Sequence, residues 1–205
     1  MVIVVFVISG IIFLQPDYGT SIFIIFLFLI MCFIGKIRKL YLAGLLLICL
    51  FIGLAGIFVK GYRIERLKTF LNPWTDKTKS GYQIVHSLLA FGSGGVFGKG
   101  LGLGEFKLKY LPDLHSDFIF PIVGEELGFV GCIFLIGIYL LIFYRGLKIA
   151  VNSPDFFSYL LASGITILIT SQALLHMLVT TSLLPTKGLP LPFFSAGGSS
   201  LLVLS

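Results

Sequence analysis

The residues able to do chemistry are gathered in one stretch of this 205-residue chain. Nine of its fifteen Lys and Arg lie between Lys60 and Lys109, and seven of its nine carboxylates lie between Glu65 and Glu126. Asp117, in LHSDFIF, stands where this polar stretch meets an apolar run. Glu125 and Glu126, in GEELG, stand inside the first turns of that run. A carboxylate at such a junction can take the proton of a hydroxyl as general base. Ionisable groups inside a membrane are expensive and point to function. The structural alternative is that Asp117 caps a helix and the two Glu complement its dipole. One helix running through Asp117 and Glu125 would set them ~12 Å apart along its axis. They would share roughly one face, with Glu126 turned nearly opposite. Lys99, Lys109 and Arg66, with Arg63 and Lys107, are candidates for a basic collar around phosphate; the alternative is that they only solvate a loop. Asp17, in QPDYGT, is a further candidate, although Pro-Asp-x-Gly-Thr is also good turn and cap chemistry.

Other chemistries find little support. GSGGVFGKGLGLG (92–104) has seven glycines in thirteen residues, yet it is no phosphate loop. Position 93 is Ser where the Walker pattern needs Gly, and Gly100 follows Lys99 where Ser or Thr is required. The plain expectation is a mobile or tightly turning loop. His86, His115 and His176 show no ligand spacing and are expected to be polar packing groups. Cys32, Cys49 and Cys132 each sit in an apolar run without CxxC spacing, so buried packing is expected. No metal-ligand motif is present; a divalent cation is left open.

The elements that must position these groups are membrane helices. Hydrophobic residues make up 57% of the chain and charged ones 12%, about half the share in soluble domains. The apolar runs do not alternate as barrel strands do, and a spanning segment must satisfy its own backbone. The fold class expected is all-α: a polytopic transmembrane bundle with a long loop that contains a surface-lying helix. The runs are Met1–Leu14, Ile22–Ile34, Leu40–Val59, Ile119–Tyr144 and Phe156–Leu184, with a sixth beginning at Leu201. At about 14 residues the first is short of the ~20 needed to span. With the last run only beginning, the chain is expected to be a fragment cut within a helix at both ends. Within the loop, Tyr82–Phe91 has a helical period at Ile84, Leu88, Leu89 and Phe91, predicting a helix along the membrane surface with Ile84, Leu88 and Leu89 toward membrane or core.

Lys36, Arg38 and Lys39 lie in one short loop, and Arg145 and Lys148 in another. The positive-inside rule makes their shared side cytoplasmic. QPDYGT, the loop of about 60–118 and PTKGLPLPF then face outward. The net charge of +6 suits contact with anionic lipid, and no compact basic domain suggests nucleic acid.

The stretch NPWTDKTKSGYQIVHSLLAFGSGGVFGKGLGLGEFKLKYLPDLHSDFIFPIVGEELGFVG closely resembles the signature of the SEDS family, the FtsW, RodA and SpoVE proteins of bacteria. QPDYGTS and LPTKGLPLPFFSAGGSS are two further family motifs in family order, so the resemblance covers essentially the whole chain, 1–205, as one membrane domain. PTKGLPLPF looks more like the division and sporulation branch than the RodA branch. The resemblance implies about ten helices in the whole protein, of which the first four are missing here. It also implies an extracytoplasmic large loop, an outer re-entrant-like loop at about 185–200, and a multi-pass protein of the bacterial plasma membrane. The activity implied is peptidoglycan glycosyltransfer, polymerising lipid II into glycan strands for division or cell shape. The partners implied are a class B penicillin-binding protein, other divisome proteins and membrane lipids.

The family's essential loop aspartate falls on Asp117, which makes it the expected catalytic base. Glu125, Lys99, Lys109, Arg66 and Asp17 are the expected substrate-binding residues. The chain departs from the family where Ser116 replaces the usual Thr or Asn, where Asp113 replaces Glu, and where Ala196 stands in SAGG for the aromatic of SYGG. The alternatives are a transporter of the lipid-linked precursor, or a division scaffold without activity. A transporter would place ionisable groups near the midplane of discontinuous helices. Here they gather beside the outer loop.

Overall fold

A computed structural model describes residues 2–14, 18–47, 49, 70, 72–74, 80–104, 118–185 and 190–194. Every regular element among them is an α-helix: α1 (Val2–Leu14), α2 (Tyr18–Ile34), α3 (Ser80–Gly94), α4 (Ile119–Val151) and α5 (Phe156–Thr180). Residues 39–47 are helical as well, so the third apolar run begins as expected, while its remainder and the run from Leu201 lie outside the described residues. α4 and α5 are long and apolar enough to cross a membrane.

Local chemistry sets the helix ends. α2 stops in a Schellman turn: Lys36 takes a left-handed φ of 56°, its N–H donates to Phe33 O at 3.1 Å, and Ile37 N–H donates to Cys32 O at 3.1 Å. α5 begins after Pro154 because Asp155 caps it, accepting Ser158 N–H at 2.9 Å and the Ser158 hydroxyl at 2.8 Å. The backbone bond first, then the hydroxyl, hold the Asp155 carboxyl below its ordinary value. α4 runs seven residues past Tyr144, through Arg145, Gly146 and Lys148, and ends three residues before Pro154.

The chain forms two compact units. The first holds Met1–Ile64 and Tyr144–Leu168. There helices meet through small residues. The Ser21 hydroxyl donates to Ser9 O at 2.9 Å, joining α1 to α2. A Cβ on Gly146 would run into the Thr166 side chain, and one on Gly164 would reach Met31 Cε at 3.3 Å. Small residues let membrane helices approach closely in this way.

The second unit holds Glu65–Phe143 and Ile169–Ser205. α3 is a helix, as its period predicts, but the buried face is Gly81, Ile84, Ser87, Ala90 and Gly94. Of the three residues expected toward membrane or core, Ile84 joins the core, Leu88 is half-buried and Leu89 is 43% exposed. The reason is close approach: the Ser87 hydroxyl donates to Thr180 O at the end of α5, and a larger residue would hold the helix off. Of the loop of about 185–200, residues 185 and 190–194 are described. Leu191 and Pro192 are buried there. Pro192 O accepts the Tyr139 hydroxyl of α4, and Pro190 O accepts Gln172 Nε2 of α5 at 2.9 Å.

Candidate functional site

The second unit is built around an interrupted helix. α4 carries non-helical angles at Gly128 (φ 67°, ψ −162°). An unbroken helix would bond Phe129 N–H to Glu125 O and Val130 N–H to Glu126 O. Both bonds are replaced. The glycine-rich segment after α3 supplies Lys99 N–H to Glu125 O at 3.0 Å and Gly100 N–H to Glu126 O at 3.0 Å. It receives Phe129 N–H at Gly95 O (3.0 Å) and Val130 N–H at Val96 O (3.2 Å). Four hydrogen bonds thus replace two, and the break is sealed by backbone alone.

Glycine is required at both faces of this clasp. Gly98 has φ +79°, and a Cβ there would strike the Glu126 carbonyl. A Cβ on Gly128 would strike Gly98 N, and one on Gly94 would strike Gly124 O. The loop is therefore turning, as one expectation had it, and also docked.

Two buried carboxylates sit at the clasp. Glu125 is fully buried, and its Oε1 takes Lys99 Nζ at 3.2 Å, while the Lys99 side chain stays 31% exposed. Glu126 is buried, and its Oε1 has no hydrogen-bond partner among the described residues. Gly104 lies between them: a Cβ there would be 3.0 Å from Glu125 Oε2 and 3.3 Å from Glu126 Oε1. Two candidates that the sequence proposed separately, Lys99 and Glu125, are thus brought together as an ion pair.

The start of α4 is anchored from the same side. Phe118 and Phe120 are buried, and Phe120 meets the ring of Phe91 at 5.4 Å, nearly edge-on. Pro121 follows in the first turn, where its missing N–H costs nothing. The chain is fixed one residue beyond Asp117. Asp117 itself, with Asp17, Arg66 and Lys109, lies outside the described residues, as do Arg63, Lys107 and His115. His86 lies against Tyr82 with ring centroids 4.0 Å apart, and burial lowers its pKa. His176 is buried within α5. Both behave as polar packing groups. Among the described residues no three His, Cys, Asp or Glu converge as a metal site.

The interruption and the Tyr139–Pro192 bond escape a reading of the sequence. GEELGFVGC looks like the opening of one continuous apolar helix. The glycine spacing in GEELG and GKGLG was the available signal, because a glycine inside a helix is a common site of breaks.

The family described as cell cycle protein, covering FtsW, RodA and SpoVE, matches residues 1–205. A probable peptidoglycan glycosyltransferase FtsW of Trichlorobacter lovleyi is 42% identical over 201 residues, covering 98% of this chain and 53% of that protein. One of the same description from Borreliella burgdorferi is 42% identical over 190 residues, covering 93% and 52%. The chain spans about half the length of the curated relatives it matches. A solved chain from work on polymerization and crosslinking by a peptidoglycan synthase complex superposes with a TM-score of 0.77 at 27% identity, covering 99% of this chain and 56% of that one.

Proposed function

The chain belongs to the FtsW, RodA and SpoVE family of cell cycle proteins, and we propose that the protein it represents is a peptidoglycan glycosyltransferase that polymerises lipid II. The observation carrying this reading is that relatives at 42–43% identity across at least 92% of the chain bear that activity in their names. Asp117 is the base. It takes the proton from an acceptor sugar hydroxyl as the oxygen attacks the anomeric carbon and the lipid pyrophosphate leaves. Positive charge must meet the pyrophosphate. Lys109 and Arg66 serve there, while Lys99 acts mainly through Glu125, since its ammonium is already engaged. Asp17 contributes from the outer QPDYGT turn. Phe118 and Phe120, buried at the start of α4, anchor the chain from the residue after the base onward.

The protein is placed as a multi-pass protein of the bacterial plasma membrane. The loop of about 60–118 and the re-entrant-like loop of about 185–200 face outward, and a class B penicillin-binding protein is the partner. The bonds from Tyr139 and Gln172 to residues 192 and 190 support the re-entrant path. External maleimide should label Lys79→Cys in intact cells and miss Arg38→Cys; the reverse would overturn the placement.

The decisive experiment is polymerisation of lipid II by the full-length protein with its partner. Asp117→Asn keeps size and capping ability, whereas Asp117→Ala removes both charge and cap. Loss of activity in both, with folding and partner binding retained, supports the base. Near-normal activity in Asp117→Asn with failure of Asp117→Ala would assign Asp117 to capping. Transport of the lipid-linked precursor is a second reading, favoured by the interrupted α4, a feature of transporters. It is weakened because Glu125 and Lys99 neutralise each other and no carboxylate follows the break within α4. Translocation of a fluorescent lipid II across proteoliposomes, surviving in Asp117→Asn, would restore it.

A further inference from the structure

The segment 95–103 joins α3 to the clasp, and its side chains are of the wrong kind for a loop in water. Phe97 is 83% exposed, Leu101 76%, and Val96 and Leu103 more than half. Lys99 is the sole ionisable residue between positions 94 and 104, and its ammonium is drawn onto buried Glu125. The centre of the backbone is satisfied from within: the N–H groups of Gly98, Lys99, Gly100 and Leu103 donate to Gly94, Glu125, Glu126 and Gly100, and the carbonyls of Gly95 and Val96 accept from Phe129 and Val130. Surface loops usually show the reverse, polar side chains with a backbone hydrated by water. Irregular backbone at membrane depth is tolerated only when its polar groups are satisfied by protein. Single exposed apolar residues need no explanation, but a contiguous patch does.

The patch also has a neighbour that says what covers it. Phe129 and Val130, whose N–H groups bond to the loop, are themselves exposed. One turn on, Ile133 and Phe134 continue the exposed apolar flank of a helix long enough to span. From Gly128 to Tyr144, the last residue before the basic Arg145 and Lys148, α4 extends roughly 24 Å, short of the ~30 Å hydrocarbon layer. The break therefore falls inside one edge of that layer, and the loop lies at its level. We propose that segment 95–103 is inserted into the bilayer, with Phe97 and Leu101 among lipid acyl chains. The clasp and the Lys99–Glu125 pair are what let a polar backbone enter that region. This inference rests on the membrane placement and is independent of glycosyl transfer.

Phe97→Trp and, separately, Leu101→Trp would be introduced into the full-length protein carrying Trp74→Phe. Each would be reconstituted in phosphatidylethanolamine–phosphatidylglycerol vesicles with brominated acyl chains. Both side chains are exposed, so the fold should survive at either site, and each variant reads the same question. Taken as the difference from the Trp74→Phe parent, the added emission should be lost largely to bromolipid and little to aqueous iodide. Strong iodide quenching without bromolipid quenching would place the loop in water and overturn the proposal. Protection from both quenchers would overturn it too, by showing that protein covers the patch.

Discussion

The two units of this chain use the same glycine-rich, apolar vocabulary to opposite ends. In the first, Gly146, Gly164, Ser9 and Ser21 bring unbroken helical stretches close together, and no ion pair joins them among the described residues. In the second, Gly94, Gly98 and Gly128 take a helix apart, and the opened bonds are rebuilt with a loop that carries a buried ion pair. Burying a charge in such surroundings is costly unless it is paired. The second unit bears that cost eight residues along the chain from the carboxylate proposed as base. On the proposed function, that difference would separate scaffold from chemistry within a chain that is 57% hydrophobic.

The sharpest test of that separation is Asp117→Asn, set against Ser9→Ala in the first unit. Loss of a positioned base should lower polymerisation by roughly 10²–10⁴-fold. Ser9→Ala keeps the carbonyl that Ser21 uses and should leave the rate near wild type. A comparable loss from Ser9→Ala, measured on lipid II, would mean that the first unit takes part in the chemistry.

Gly98→Ala and Gly102→Ala have nearly the same φ, +79° and +80°, but different surroundings. Left-handed backbone costs a non-glycine residue roughly 1–2 kcal/mol. That should be the whole effect at Gly102, where nothing lies within 4 Å, whereas Gly98→Ala also collides with the Glu126 backbone. Thermal unfolding in detergent should show Gly98→Ala the less stable of the two by a clear margin. Equal values would mean the clasp is dispensable.

Lys99→Met leaves Glu125 buried without its cation, while Glu125→Gln leaves an exposed-tipped lysine that can turn to solvent. Removing one partner of a fully buried pair costs about 3–5 kcal/mol. The cost here should be smaller, because Lys99 remains partly exposed, and Lys99→Met should be the more destabilising variant. The reverse order in a denaturation series would mean the pair does not stabilise the clasp.

The smallest effect belongs to the first unit. The Asp155 carboxyl is held below its ordinary value by Ser158, so the cap stabilises the folded state above the unfolded value of about 3.9 and is lost as pH falls through the lower folded value. In a pH series of thermal unfolding in detergent, Asp155→Asn should flatten that acid limb, slightly less stable than wild type near neutrality and converging with it in acid.

Length and hydropathy made the helices legible. α1, α2, α4 and α5 each lie on an apolar run, and α3 follows its helical period. α2 starts four residues ahead of its run, because Tyr18, Gly19, Thr20 and Ser21 are helical without being uniformly apolar. The face of α3 was less legible, since periodicity favours large apolar residues and close packing here selects small ones. The clasp was least legible. Its partners are about thirty residues apart and bond through backbone, which no side-chain pattern reports.

The exchange at Gly128 also has a consequence in time. The amides of Lys99 and Gly100 are protected only while Glu125 and Glu126 are in place, and those of Phe129 and Val130 only while Gly95 and Val96 are. Neither partner can loosen alone, so the four should exchange with deuterium at one shared opening rate, as a cooperative unit does. During synthesis the loop leaves the ribosome before the helix that completes it. Its amides must stay with water, or with a helper protein, until the chain has grown past Val130.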